Sequence, residues 1–490
     1  MANRVDYVRP EVTWAQSEWQ KVRDVVAGEK AVKDAGAKYL PPINPLDDSP
    51  ENIERNKQYI FRTYYFNGTG RTLEGLVGIA FQQWPEIILP DAMAVMEEDA
   101  DGAGGGLVNQ SHRSLEELLV VGRGGLLVDY PETAVAVSLQ DQNDSRVHSM
   151  IIQYKAEQIV NWRVGPSRLP ELIVLHEVYE FENDYDVELK DQWRELRMIE
   201  GVYVLKIWRT PEKGNGPELI SESIPKDGWG NPFDHIPFYF MGAMDNDAEI
   251  DKAPLLDLAN ANLAHYRSSA NHFDAEYYVN QPQYWVIGAD AQWMQEMKEA
   301  GIYFGSRAIG SIPSGGDVKL LQPAPNSMAS ESMNRIKQDM VSLGARLLTP
   351  GEAVKTTDQA KADIASSNSV LSLAADNISN AYTEALYDAA AFMRIETDEI
   401  VFKIHTDFGG VMIDTVALKE LVAAWQAGSI PDSDHWSNMR QLGVIDPQKT
   451  DDEIEGELES SGAGLTLNLD ADPALDAIPP VIETDEPIAQ

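Results

Sequence analysis

Residues 254–279, PLLDLANANLAHYRSSANHFDAEYYV, constrain the fold more than any other stretch. Leu256, Ala259, Leu263, Tyr266, Ala270, Phe273 and Tyr277 alternate in steps of three and four. That spacing predicts one long helix with an apolar seam. No glycine interrupts it, and Pro254 sits at the entry, where its missing N–H would have been unpaired anyway. At 1.5 Å per residue the stretch is about 39 Å long. A second seam, Ala329, Met333, Ile336, Met340, Leu343 and Leu347, repeats the steps within 326–348. Two long heptad helices thus enclose a shorter segment of different character. Such seams mark either core helices of an ordinary globular domain or rods that press against copies of themselves, and periodicity leaves both open.

A chain of 490 residues is long enough for more than one domain. Its formal charge is −40, which argues against tight, static binding of nucleic acid through phosphate contacts. A polyanion passing without sticking remains compatible with that charge. With no cysteine, disulfides and thiolate metal sites are excluded. The eight histidines form no HxxxH or HExxH pair. The first residues lack the apolar core of a signal peptide, and the most apolar window, 118–128, is cut by GRGG and is too short to span a bilayer. A soluble, non-secreted protein without cofactor or metal is expected.

In chain order, residues 14–32, 51–65, 71–83 and 111–121 read as helices, with Thr69 a candidate cap for the third. Residues 126–129 begin a strand. Short β-branched and aromatic runs follow at 150–154, 158–164, 171–182, 192–200, 202–209 and 219–224, separated by Gly, Pro, Asn and Asp. Regular spacing without intervening helices predicts an antiparallel sheet, so the fold class is α+β. Residues 280–325 read as a compact α/β insertion between the seams, with a short helix at 291–300. A Pro-Gly pair in 349–357 breaks the second seam. A long helix over 358–393, weakened at Ser366-Ser367-Asn368, a strand at 399–406 and helices at 416–425 and 433–442 complete the order. Residues 451–490 hold twelve acids and no base, a composition that alone predicts disorder.

No catalytic motif emerges. GxxxxGK[ST] and GxSxG are absent. Gly122-Arg123-Gly124-Gly125 lies between a helix and a strand, the reverse of the dinucleotide order, and reads as a tight turn. Glu97-Glu98-Asp99 and the acids at 451–453 have the chemistry for a divalent cation, although solvated acid runs are commoner in so acidic a chain. Asp129-Tyr130-Pro131 reads as a strand end. The chain is therefore not expected to be an enzyme.

The order of parts, an α+β half, long helix, small insertion, long helix, broken loop, kinked helix, returning strand and C-terminal helices, resembles the portal proteins of tailed double-stranded DNA bacteriophages. Local stretches resemble them too: YLPP at 39–42, RTLEGLVGIAF at 71–81, GRGGLLVDYP at 122–131, AEQIVNWR at 156–163, PLLDLANANLAHYRSS at 254–269, GARLL at 344–348 and SSNSVLSLAADNISNA at 366–381. The resemblance covers most of 39–445.

It implies a ring, usually of twelve subunits, at one capsid vertex. The wing would be 1–250, the stem helices 251–279 and 326–348, the clip 280–325 and the tunnel loop 349–357. The kinked helix and returning strand would be 358–410, the crown 411–450 and an acidic tail 451–490. Implied partners are further copies of the chain, duplex DNA in the channel, the terminase large subunit, head–tail adaptor and tail proteins, and the major capsid protein, with no membrane. The location would be the portal vertex of the virion, assembled in the host cytoplasm. Lys355, Thr356 and Thr357 would reach the DNA, the alternative being a solvated loop. Trp285, Trp293, Tyr303 and Phe304 would make clip contacts, the alternative being core packing. The seam residues would form the stem interface. Twelve helices about 9.5 Å apart enclose a lumen of roughly 25 Å, enough for a duplex about 20 Å wide. Two other readings compete: a head–tail adaptor or similar ring-forming virion protein, and, more remotely, a carboxylate–metal enzyme.

Overall fold

The computed structural model describes residues 4–130, 148–183, 186–211, 216–279, 283–288, 290–299, 315–321, 328–347, 369–396, 399–406, 408, 431 and 436. The chain divides into two compact units, 1–408 and 409–490. The helices and strands below belong to the first, a mixed α/β unit whose sheets are antiparallel.

Strand β2 (Arg123–Asp129) is the centre of a three-stranded sheet. Every residue from Arg123 to Val128 is buried. Its neighbours β3 (Met150–Lys155) and β9 (Phe238–Gly242) pair with it on either side, giving the order β3-β2-β9. A strand paired at both edges and covered on both faces tolerates a continuous apolar run, which is what Leu126, Leu127 and Val128 supply. Gly125 is needed here because a Cβ would lie 2.3 Å from the Phe238 ring. Helix α6 (Leu107–Val121) feeds this strand through Gly122, which takes the left-handed conformation at φ 77 and donates its N–H to Leu118. The GRGG motif is thus a helix cap followed by a strand, in line with the tight-turn reading.

A second sheet runs in chain order, β4 (Ile159–Val164), β5 (Pro170–Asn183), β6 (Asp186–Ile199), β7 (Val202–Arg209) and β8 (Glu218–Ser223). The β5–β6 hairpin is in continuous register from Leu172↔Arg197 to Asn183↔Asp186, so β6 begins six residues before the expected 192. Strand β9 was not anticipated from the sequence. Its apolar run, FYFMG, sits between a proline and a string of acids, and the residues that make it a strand are the partners on β2.

At the N-terminus α1 (Pro10–Ala27) and α2 (Glu29–Asp34) replace the single helix expected over 14–32. Gly28, at φ 98, breaks it. Helix α3 (Pro50–Arg62) is capped by Ser49, whose hydroxyl accepts from Asn52 N–H. Helix α4 (Gly68–Ala80) is capped by Asn67, not by Thr69. Thr69 is fully buried and its hydroxyl is committed elsewhere. Strand β1 (Glu86–Ile88) and the short α5 (Val95–Glu98) precede α6.

The first seam forms α7 (Leu256–Val279) and the second forms α9 (Met328–Arg346). Between them β10 (Gln283–Ile287) pairs with β11 (Asp317–Leu321), and α8 (Ala291–Glu299) lies in between. This is the expected small α/β insertion. Helix α10 (Val370–Phe392) starts at a new cap, where the Ser369 hydroxyl accepts from Ser372 N–H. The first part of the helix expected from 358, with its weak point at 366–368, lies outside the described residues. Helix α10 is buried along most of its length against α6, β2 and β9. The strand after it, β12 (Val401–Lys403), returns to pair with β1, Phe402 opposite Ile87. The loop 349–357 and the tail 451–490 lie outside the described residues, as do the helices at 416–425 and 433–442 save the single position 436.

Candidate assembly site: the helical hairpin and its footing

Residues 243–255 link β9 to helix α7, and this link is clamped. Arg123 donates from Nη1 to the carbonyls of Ala248 (3.0 Å) and Glu249 (2.7 Å). Its guanidinium packs on the rings of Trp162, at 4.3 Å, and Phe240, at 4.9 Å, which meet each other edge-on. Burial pushes its pKa down to about 10, while the charges of Asp247 and Asp251 oppose that shift, so the group is a cation at neutral pH. On the next residues, Ala243 N–H reaches Gly122 O and Leu255 N–H reaches Leu119 O. A Cβ at Gly122 would lie 2.9 Å from Asp251 O, so this position also needs a glycine for space.

The first half of α7 is buried on two adjacent stripes. One is the seam: Leu256, Ala259, Leu263, Tyr266 and Ala270 are all buried within the chain. The other carries Leu258, Asn262, His265 and Ser269, also buried. Asn262 Oδ1 accepts from Gly68 N–H (3.0 Å), Thr69 N–H (3.0 Å) and Thr69 Oγ1 (3.1 Å), and its Nδ2 donates to Phe66 O (2.9 Å). One amide thus satisfies the N-terminus of α4 together with the Asn67 cap. Ser269 Oγ donates to Tyr64 O and to Tyr266 O. Tyr59 OH donates to Asn271, and Arg62 pairs with Asp274 at 3.1 Å while lying over Tyr277. Burial pushes Tyr266 up to about 12.

Helix α9 packs on α7 with its seam turned inward. Met340 and Leu347 are buried, while Ala329, Met333, Ile336 and Leu343 are partly buried. This helix meets α4 at two glycines. A Cβ at Gly68 would lie 2.3 Å from Met340 Cε, and one at Gly344 would meet Thr72 at 3.3 Å. The seams therefore serve the chain's own core in the footing, which assigns them to the first of the two uses heptad seams have. Towards the far end this changes: Phe273 is half-buried and Tyr277 is exposed.

At that end Trp285 stands opposite Lys319 in the β10–β11 ladder. Trp293 is half-buried on α8, its N–H held by Asp290 Oδ1 at 2.7 Å. Tyr303 and Phe304 lie outside the described residues, as do Lys355, Thr356 and Thr357. Sequence reasoning missed Arg123, Asn262, His265 and Ser269. The last three did leave a signal, since they repeat the three-four step one residue behind the apolar seam.

Large apolar side chains stand bare on the N-terminal helices and the turn after them: Trp14 is 72 % exposed, Phe61 76 % and Trp84 79 %. Among the described residues no three His, Asp or Glu side chains converge to hold a metal ion, and no helix is long and apolar enough to cross a membrane.

A family model described as a domain of unknown function, DUF4055, matches residues 254–393. The matched span takes in α7, the β10–α8–β11 module, α9 and α10. None of the curated proteins matches the chain.

Proposed function

We propose that this chain is the protomer of a portal ring at one vertex of a tailed-phage capsid, through which double-stranded DNA is packaged and later ejected. The observation that carries the reading is the hairpin α7/α9. It is rooted in the wing by a buried polar network and carries a separate α/β module at its far end. A hairpin fixed at one end and bearing a module at the other suits a stem and clip. The expected role of the clip is to dock the terminase large subunit and then the adaptor and tail proteins, with the major capsid protein around the wing.

The surface supports a ring. A closed cyclic assembly uses two different faces of each copy, and the bare aromatics of the wing are of the type that anchors such contacts. A twelvefold ring would carry about −480 formal charges, a field in which phosphates find few lasting partners. The role is architectural, with no catalytic step.

The test is the purified protein itself. Electron micrographs are expected to show rings with a central hole of roughly 25 Å. Mass measurement is expected to give about twelve times 54.3 kDa. A stable monomer at micromolar concentration overturns the reading.

A further inference from the structure

His265 is buried completely on α7, and neither ring nitrogen has a hydrogen-bond partner among the described residues. Its ring packs against Phe66, with centroids 5.8 Å apart. Lys337, from α9, lies over that same Phe66 ring, with Nζ 5.0 Å from its centre. Asn262, one turn earlier, spends its carbonyl oxygen on Gly68 and Thr69, so it offers no acceptor to a protonated imidazole.

We propose that His265 is an acid-sensitive latch in the footing of the hairpin: protonation of its imidazole loosens α9 from α7 and α4. A neutral imidazole fits this cavity as an aromatic filler. A charged one would place a second cation at the ring Lys337 already occupies, with two N–H donors and no acceptor.

The surrounding charges offer no relief. On α9, Lys337 is the group that acts on the imidazole, while Glu331, Arg335 and Asp339 are exposed. On α4, Arg71 and Glu74 are exposed. On α7 itself Asp257 pairs with Lys252, Asp274 with Arg62, and Arg267 donates to Tyr39 O. On α1, Lys21 is turned to Asn260. From the segment before α4, Tyr65 spends its hydroxyl on Val25 O. Burial, reinforced by Lys337, pushes the imidazole below its ordinary 6.5. The folded footing therefore refuses a proton that the opened one accepts. Its stability is complete above about pH 6.5 and falls by up to tenfold per pH unit below it, until the folded group titrates.

The inference does not depend on the proposed function. Hydrogen exchange of the full-length protein, at about pH 7.5 and 5 and corrected for intrinsic rates, reads the opening of 328–346. Protection there is expected to fall about tenfold in the wild type and to change less than about twofold in His265→Phe. An equal fall in both, or none in the wild type, overturns the latch. If His265→Phe does not fold, exchange of the imidazole C2 hydrogen in the wild type decides instead. A midpoint below 6.5 supports the latch, and a midpoint at or above it refutes it.

Discussion

Asn262 and Thr69, far apart in sequence, are joined by two hydrogen bonds, from the Thr69 N–H and from its hydroxyl to one amide oxygen. Both residues are fully buried. The same oxygen takes Gly68 N–H, which also reaches Phe66 O at 2.9 Å, so the two Thr69 donors are the ones that depend on this side chain of α7. Replacing it strands the two buried Thr69 donors. Asn262→Ala is expected to cost about 3 kcal/mol, and Asn262→Leu at least as much, because shape cannot replace the acceptor. Urea unfolding measures this. A cost below about 1 kcal/mol would mean the footing is held by apolar packing alone.

Arg123 makes a different demand, for planarity. Its guanidinium packs on the rings of both Trp162 and Phe240 while one nitrogen holds two carbonyls of the link into α7. A lysine keeps the charge and has donors enough for two carbonyls, but it cannot lay a plane on the two rings. Arg123→Lys is expected to destabilise by about 2 kcal/mol and to raise hydrogen exchange in 243–255. Equal exchange in variant and wild type would show that the link needs no clamp.

Much of this was legible in the sequence, and the gaps have physical causes. The seams located α7 and α9, and β-branched runs located the strands from β3 to β8, because periodicity is a local property. Strand β9 escaped because five residues carry no period worth reading, and its identity comes from β2. The N-cap moved from Thr69 to Asn67 because Thr69 is claimed by Asn262, a contact no local rule contains. The direction in which the seams face is also tertiary information. Leu256 to Ala270 were equally suited to a neighbouring copy, and the chain uses them for itself. Asn262, His265 and Ser269 showed a heptad step of their own, but a polar stripe on a long helix ordinarily faces solvent.

His235 ties the start of β9 to α10. Its Nε2 lies 3.0 Å from Asp388 Oδ1, and Tyr239 OH donates to Oδ2 of the same carboxylate at 2.7 Å. The hydrogen bond to Asp388 is the main cause that raises the imidazole from 6.5 to about 9, against desolvation and with help from Asp234. A raised pKa means the folded state holds its proton more tightly than the unfolded one. The contribution is complete below about pH 6.5 and is lost as pH rises through about 9. The His235 side chain is 35 % exposed, so screening reduces its worth to about 1–2 kcal/mol. Thermal unfolding from pH 6 to 10 should show that decline in the wild type and a flatter profile in Asp388→Asn. Parallel profiles would remove the pair from the alkaline limb.

The exposed aromatics give a test of assembly that spares the fold. Phe61 lies on the outer side of α3, and Trp84 follows α4. Single exposed apolar residues are ordinary, but aromatics this bare are the type that anchors interfaces. Neither side chain belongs to the buried core, so Phe61→Ser and Trp84→Ser should leave the circular dichroism of the protomer unchanged. Each anchor lost from a subunit contact is expected to weaken it by about 2 kcal/mol, or roughly thirtyfold in its dissociation constant. Because a ring repeats every contact, that loss is multiplied around the circle, and dilution should shift the mass distribution towards small species well before it does so in the wild type. Rings that dilute identically in both variants would place the subunit contacts on other faces, leaving the exposed far end of α7, with Tyr277, as the next surface to change.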